Sequence, residues 1–429
     1  MSKKEHIVIV GGGFAGLNLA KYLDKDQFEI TLVDRNNFHS FPPLFYQIAS
    51  GGLDPGNISF PFRRELRKIS SKAGLTYHMG DVHTIDVIRK EIRTQFETIE
   101  YDKLIICAGT TNNFFGNNDL IKSVFTMKSA AEATRCRNEI LDRLERASLC
   151  LDDPDRRKRL LSFVVVGGGP TGVEIAGAIG ELKRYILERE YPGINRDDLQ
   201  IILLEGTDRV LGPMSPEASA DSLRYLKELM VDVRLNHLLK SYKDNLITLN
   251  DGTTIYSEMV IWTAGVTGES FIFEGTDYKP GRGNRFAVDR QNRVIGLDDV
   301  FAVGDIAMME TPKYPKGHPQ LAQPAIQQAR LLARNMNTGK WDREFVYKDK
   351  GSMATVGRNL AVADLNGLHL KGIIAWFAWM FVHLISLLGM RNKLTVLINW
   401  TWAYFTYSTS LRMLLHSTKY PLRHRWGER

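Results

Sequence analysis

The sequence predicts an α/β fold with two Rossmann-like dinucleotide-binding domains and an amphipathic C-terminal region. Three observations carry this. A β-branched apolar run leads into a triple-glycine turn twice, in IVIVGGGFAG from Ile7 and in FVVVGGGPTG from Phe163. After each turn come helical spacing and a second apolar run that ends on an acid, Asp34 or Glu205. Past residue 370 the composition turns apolar and aromatic.

Short, fully apolar runs are central strands of parallel sheets. Residues 7–10 are such a run, 17–23 have helical spacing, and 29–33 form the next strand, which completes a βαβ unit. Residues 75–80 and 103–107 read as further strands, and 84–101 as a β-meander. The pattern restarts at 163–166. Its helix is read from Val173 to the stop at Pro192 and Gly193, and 199–204 form the paired strand. Asp251 and Gly252 signal a hairpin, and 259–262 and 300–303 are strands. The basic run 156–159 reads as a solvated face or a linker.

With 429 residues the chain can build several domains around large cores. Its 44% hydrophobic and 24% charged content exclude a disordered chain. Cys107, Cys136 and Cys150 form no C-x-x-C and no metal-ligand set. Neither a disulfide framework nor a bound metal is expected, which fits a reducing compartment. The first strand starts at once, so no signal or transit peptide is expected and the body should face cytosol. No nucleic-acid partner is expected.

Gly11, Gly13 and Gly16 have the dinucleotide spacing in its strand–turn–helix context. The first glycine permits the turn, the second admits a pyrophosphate, and the third lets helix and strand pack closely. The pyrophosphate would sit on the helix N-terminus, with Asp34 on a ribose hydroxyl. Gly167, Gly169 and Gly172 repeat the spacing, and Glu205 supplies the acid. A carboxylate there repels a 2′-phosphate and favours NADH over NADPH, although Arg209 is close by. The competing reading of either loop is a tight structural turn. Two loops imply two dinucleotides, most economically a resident flavin and a visiting nicotinamide. Gly304 and Asp305, in VFAVGDIA, suit the flavin's ribityl or pyrophosphate region.

On these loops the chain resembles the two-dinucleotide-binding, glutathione-reductase-like flavoprotein oxidoreductases. It is most similar to the type II NADH dehydrogenases, single-subunit NADH:quinone oxidoreductases of the respiratory chain. HSFPPLFYQIASGGLDP from His39, VIWTAGV from Val260, FAVGDIA from Phe301, LAQPAIQQA from Leu321 and LKGIIAWFAW from Leu370 also carry the likeness. The resemblance implies FAD on Gly11, Gly12, Gly13, Phe14, Ala15, Gly16, Asp34, Arg35, Val82, Ala108, Gly109, Gly304, Asp305, Ala322 and Lys371. It implies NADH on Gly167, Gly169, Pro170, Thr171, Gly172, Glu174, Glu205 and Gly265. It implies quinone near Gln323, Gln327, Lys371 and Ile374, and a homodimer. Where the family often has Ala-Thr-Gly, this chain has Cys107-Ala108-Gly109. The implied domains are 1–112 and 286–340 for FAD, 113–285 for NADH, and 341–429 for membrane attachment and quinone access.

Hydride transfer requires the nicotinamide held against the flavin with water excluded. Disulfide chemistry would need a C-x-x-C, and quinone needs only an apolar slot with polar ends. Gln323 and Gln327 lie one helical turn apart, either lining that slot or as surface amides. Glu174, read in the first helical turn, either stabilises the helix dipole or is catalytic, orienting nicotinamide or passing a proton to quinone. Lys371 is either an interfacial anchor or the end of the channel.

Residues 372–390 carry no formal charge, and 394–415 are rich in Trp and Tyr. A monotopic segment at headgroup depth, a spanning helix and an internal helix pair all stand as readings, with the first favoured. The basic tail 419–429 would meet anionic phospholipid. The expected place is the cytoplasmic face of a bacterial plasma membrane, with electron transfer and no proton pumping. The competing functions are a soluble flavin or ferredoxin reductase and a flavin-bearing redox sensor.

Overall fold

Five parallel strands form the first sheet, in the order Val300–Ala302, Lys103–Ile106, Glu5–Val10, Phe28–Asp34, Leu75–Met79. This computed structural model describes residues 4–69, 74–150, 152–365, 367–407 and 411–414. The chain divides into two compact units. One comprises Met1–Ser40, Ser59–Thr111 and Val266–Lys350; the other comprises Phe41–Ile58, Asn112–Gly265 and Gly351–Arg429.

In the first unit, Ile7, Val8 and Ile9 are wholly buried, which is why their strand shows no polar alternation. Helix Phe14–Tyr22 packs against helix Ala322–Thr338. The expected meander is present as Val82–Asp86, Glu91–Thr94 and Thr98–Glu100, with Ile272–Glu274 added in parallel on Val82–Asp86.

The second unit has its own parallel sheet, ordered Asp232–Arg234, Gln200–Leu204, Ser162–Val166, Met259–Trp262. The hairpin expected at Asp251 and Gly252 joins Leu246–Leu249 to Thr254–Tyr256. Gly252 takes a φ of 86° there, a conformation that glycine adopts without strain. The basic run lies on helix Pro154–Leu160 and is a solvated face rather than a linker.

The helix after the second glycine turn departs from its sequence reading at both ends. It runs Pro170–Tyr185, three residues earlier than Val173, because Pro170 occupies N1 with its φ already helical. It breaks at Ile186, with a second short helix at Leu187–Glu190.

An antiparallel sheet of Ser352–Gly357, Leu360–Leu365 and Leu368–Lys371 precedes the apolar region, where the sequence reading names no strands. Helix Pro170–Tyr185 lies directly on it. A Cβ on Gly177 would overlap the Val356 carbonyl oxygen, so only glycine allows this approach.

The apolar region forms two helices, Gly372–Ser386 and Met390–Thr406, separated at Gly389, where φ is 72°. No helix among the described residues is long and apolar enough to cross a membrane. The basic tail 419–429 lies outside the described residues.

Candidate functional site: two nucleotide seats and an acidic cavity

The first glycine turn is held from three sides within its unit. Gly11, with φ of 98°, donates its N–H to the Val33 carbonyl at 2.8 Å. A Cβ on Gly11 would press on Cys107 and Ala108, and one on Gly16 would overlap the Gly11 carbonyl. Gly12 donates to the Asp34 carboxylate at 2.6 Å, and Asn36 donates to its other oxygen at 2.7 Å. Burial pushes the Asp34 carboxyl up from its ordinary value; the Gly12 and Asn36 N–H groups and the Arg35 charge pull it back. Arg35 pairs with Glu269. Val82 packs in the core with Val10 and Val33.

Gly304 brings a further element to this turn. Its missing side chain faces Ala15 and Ala325, so the turn through Asp305 is wedged between the starts of helices Phe14–Tyr22 and Ala322–Thr338. The Gly304 N–H is accepted by buried Gln328 at 2.8 Å. The sequence reading missed Gln328. The spacing of Ala325, Gln328, Ala329 and Leu332 marks the buried face and was the available signal. Also missed was His39, whose buried ring Nδ1–H donates to the Gly12 carbonyl at 2.9 Å. Burial pushes its pKa down and keeps it neutral.

These residues fit FAD. Neither Gly13 nor Leu321, the residues before the two helix starts, offers a side-chain cap, which leaves N–H groups at both ends for phosphate. A Cβ on Gly13 or Gly109 would meet no protein atom within 4 Å. Ala108 and Gly109 follow strand Lys103–Ile106 beside Gly11, and Phe14, Ala15 and Ala322 open the two helices. The Cys107 thiol beside this turn is buried and its pKa is pushed up, the opposite of an activated thiolate.

The second turn repeats this construction in its own unit. Gly167, with φ of 109°, donates to Leu204 at 2.8 Å, and Gly168 donates to Glu205 at 2.6 Å. The other Glu205 oxygen accepts both the N–H and the hydroxyl of Thr207, each at 2.8 Å. Gly172 fits under the Gly167 carbonyl only because it lacks a Cβ. Gly169 has open space at its Cβ position and no side-chain cap, and Pro170 and Thr171 are exposed beside it. Arg209 donates to the Gly212 carbonyl at 2.7 Å. At Gly265, φ is 74° and the Phe115 ring covers the Cβ position.

Glu174 is in the second turn of its helix, not the first, because the helix starts at Pro170. The dipole-stabilising reading therefore fails. Its side chain is 8% exposed and accepts the Thr355 N–H. Burial pushes its pKa well above the ordinary value, with only that hydrogen bond opposing. Glu174 lines a cavity of about 160 Å³ with Tyr46, Gln47, Glu181, Arg358 and Trp400.

The four residues expected at quinone fall in different units. Gln323 and Gln327 lie half-buried on helix Ala322–Thr338 in the first. Gln327 exchanges two hydrogen bonds with the Lys348 backbone, at 3.0 and 3.1 Å. Lys371 and Ile374 are in the second, at the start of helix Gly372–Ser386. Lys371 pairs with Asp221 at 3.3 Å, and Ile374 is exposed.

Two glycine turns of one design, each tied to an acid, define a pyridine-nucleotide flavoprotein. The family model of pyridine nucleotide-disulphide oxidoreductases matches residues 5–329, and the chain belongs to that class. Residues 350–408 match the NDH2 C-terminal domain. The chain is 36% identical over 417 residues to the type II NADH:quinone oxidoreductase Ndh of Mycobacterium tuberculosis, covering 93% of this chain and 88% of the relative. It is 28% identical over 430 residues to the internal alternative NAD(P)H-ubiquinone oxidoreductase A1, mitochondrial, of Arabidopsis thaliana, covering 93% and 84%. Within the class, this chain belongs to the type II NADH:quinone oxidoreductase family. The fold is that of NDH2 from Plasmodium falciparum, with a TM-score of 0.88 at 22% identity over 96% of this chain and 100% of the other.

Proposed function

We propose that this chain is an NADH:quinone oxidoreductase that works through a bound FAD at a membrane surface. The observation that carries this reading is the pair of like-built nucleotide seats in a member of this family. FAD, when bound, supplies the two-electron chemistry that accepts hydride from a nicotinamide and reduces quinone. The residues of the chain bind, orient and manage protons. The first turn, with Asp34, Gly109 and the Gly304 turn, seats FAD. The second, with Glu205 and Gly265, seats NADH. Gln323, Gln327, Lys371 and Ile374 serve the quinone. Glu174 holds a proton in its buried carboxyl and hands it to a quinone oxygen as a general acid.

The two C-terminal helices support attachment to the membrane. Ile374, Phe377, Phe381 and Ile385 are exposed on one, with Ala375 and Trp379 buried behind them. Leu394, Ile398, Trp402 and Phe405 are exposed on the other. An outward apolar face with Trp at its edge suits headgroup depth better than water. Contact with anionic phospholipid, the cytoplasmic face of a bacterial membrane, and a homodimer belong to the same proposal.

Anaerobic stopped-flow mixing tests it. NADH should bleach the flavin absorbance of the purified yellow protein, NADPH should do so more slowly, and a soluble quinone should restore it. Failure of NADH to bleach the flavin would end the reading.

A further inference from the structure

Residues 114–117 make an unusual turn beside the second nucleotide seat. The Asn117 N–H donates to the Phe114 carbonyl at 2.9 Å, and both central residues have positive φ, 50° at Phe115 and 82° at Gly116. Asn, Asp and Gly take such positions readily, whereas a bulky phenylalanine does so only under strain. Phe115 is nevertheless 68% exposed, so burial of its ring does not offset that strain. A strained residue that its own packing does not explain points to a function.

The turn is pinned in place. The Asn113 side-chain oxygen accepts the Phe115 N–H at 2.8 Å, its backbone N–H donates to the Gly265 carbonyl at 3.3 Å, and its own carbonyl accepts the Trp262 indole N–H at 3.0 Å. The tip of the Phe115 ring points at Gly265, where a Cβ would lie 2.5 Å from it, so only glycine admits the ring. The Trp262 ring lies 6.3 Å away, centroid to centroid, at 60°. These contacts hold the ring by one end and leave most of it in solvent.

The sheet order says which part of a dinucleotide would meet that ring. Strand Ser162–Val166 and the glycine turn after it lie between Gln200–Leu204, which leads to Glu205, and Met259–Trp262, which leads to Gly265. In such sheets the ligand crosses the carboxyl ends of the strands. With a ribose on Glu205 and the pyrophosphate on the turn, the other half of the molecule extends towards 263–265. The chain there runs hard against the turn, since a Cβ on Gly167 would press on Thr263 and Ala264. The ribose that meets the acid is the one that carries the 2′-phosphate in NADPH, which is the adenosine ribose. The end that reaches Phe115 is therefore the nicotinamide.

We infer that Phe115 binds the nicotinamide, as a rigid aromatic wall on which that ring packs. The inference rests on the NADH:quinone reading and deepens it, adding a specificity residue that lies outside the glycine turns and their acids. A flat dihydronicotinamide ring gains from packing on an aromatic side chain. A wall that is already fixed loses little freedom when the nucleotide arrives.

The test compares two ligands of one seat in the full FAD-loaded chain. ADP-ribose keeps the adenosine, the pyrophosphate and the second ribose of NADH and lacks the nicotinamide. Phe115→Gly removes the ring at a φ that glycine adopts freely, so the turn should persist. The NADH concentration that half-saturates flavin bleaching should rise about tenfold in this variant, while the constant for competitive inhibition by ADP-ribose stays at its wild-type value. Phe115→Tyr keeps the ring and should match the wild type with both ligands. Phe115→Leu should shift NADH in the same direction by a smaller factor, which covers the case where Phe115→Gly does not fold. Unchanged half-saturation by NADH in both ring-deleted variants, or a rise that ADP-ribose shares, would overturn the inference and leave the NADH:quinone reading intact. A wild type that NADH does not bleach would overturn that reading instead.

Discussion

The Gly168 N–H lies 2.6 Å from the Glu205 carboxylate, so the acid proposed to meet a ribose also holds the glycine turn proposed to meet the phosphates. Gly12 and Asp34 share the same relationship at the same distance. Each acid closes strand, turn and neighbouring strand into one rigid seat. In the proposed function, sugar recognition and phosphate recognition are therefore coupled at both seats.

Glu205→Gln separates the two roles. The amide oxygen can still accept the Gly168 N–H, so the turn and the FAD content should persist. The charge proposed to repel a 2′-phosphate is gone. The ratio of kcat/KM for NADH over NADPH should fall by about tenfold, roughly 1.4 kcal/mol. Steady-state kinetics with both nucleotides measures it, and an unchanged ratio would show that Glu205 does not select the nucleotide.

Two glycines three residues apart should fail in different ways. Gly169 has ordinary φ of −71° and no atom within 4 Å of a Cβ position, so Gly169→Ala should fold and keep FAD. Its new methyl would occupy the space above the uncapped helix end, and KM for NADH should rise about tenfold or more. Gly172→Ala places a methyl on the Gly167 carbonyl and 2.7 Å from the Thr263 hydroxyl oxygen. It should lower stability by about 1–3 kcal/mol. Thermal melts with FAD release as the second signal distinguish the pair. Equal destabilisation would mean that Gly169 is structural too.

Much of this was legible because burial leaves a plain mark. Residues 7–9 and 163–165 are buried on both faces, so their apolar runs name central strands without ambiguity. Gly11 and Gly167 take φ near 100°, which favours glycine, so their identity reveals the turn. The cavity was not legible, because Tyr46, Glu174, Arg358 and Trp400 come from four distant stretches and meet only in the fold. The sheet at 352–371 was hidden for a similar reason. Gly351 has φ of 94° and its missing Cβ clears the Asp364 carbonyl, a pairing that no local periodicity announces. Gln327 drew attention through its motif, yet its neighbour Gln328 is the glutamine that holds the Gly304 turn.

Phe381 and Phe405 are 65% and 77% exposed, each within a row of exposed apolar side chains on its helix. Replacing both by serine should leave folding within about 0.5 kcal/mol, since both are largely exposed. Each phenyl placed in lipid is worth about 1.5–3 kcal/mol, so partitioning onto vesicles should fall about 100-fold or more for the pair. Co-sedimentation with phosphatidylglycerol-containing vesicles measures it. Activity towards a water-soluble quinone should survive while activity towards a long-tailed quinone in vesicles falls. Unchanged co-sedimentation would remove these helices from the attachment surface.

The buried acids also predict how stability depends on pH. Burial raises the Glu174 pKa well above its ordinary 4.5, and raises that of Glu181 as well. Between the unfolded and folded values the native state keeps protons that the unfolded chain has lost. The unfolding free energy therefore falls as pH rises above about 4.5, and keeps falling until the folded carboxyls themselves ionise. Below about 4.5 both states hold the proton and the contribution is fully present. Glu174→Gln removes the titration while the amide oxygen still accepts the Thr355 N–H. The variant and the wild type should melt together in acid, and the variant should melt higher at mildly alkaline pH, with the gap widening as pH increases. Glu181→Gln should move in the same direction. Calorimetric melts of the FAD-loaded proteins from acid to alkaline pH give the comparison directly. A wild type that stays as stable as Glu174→Gln at alkaline pH would mean that Glu174 is not held as a protonated acid in the fold, and its role as proton donor to quinone would fall with it.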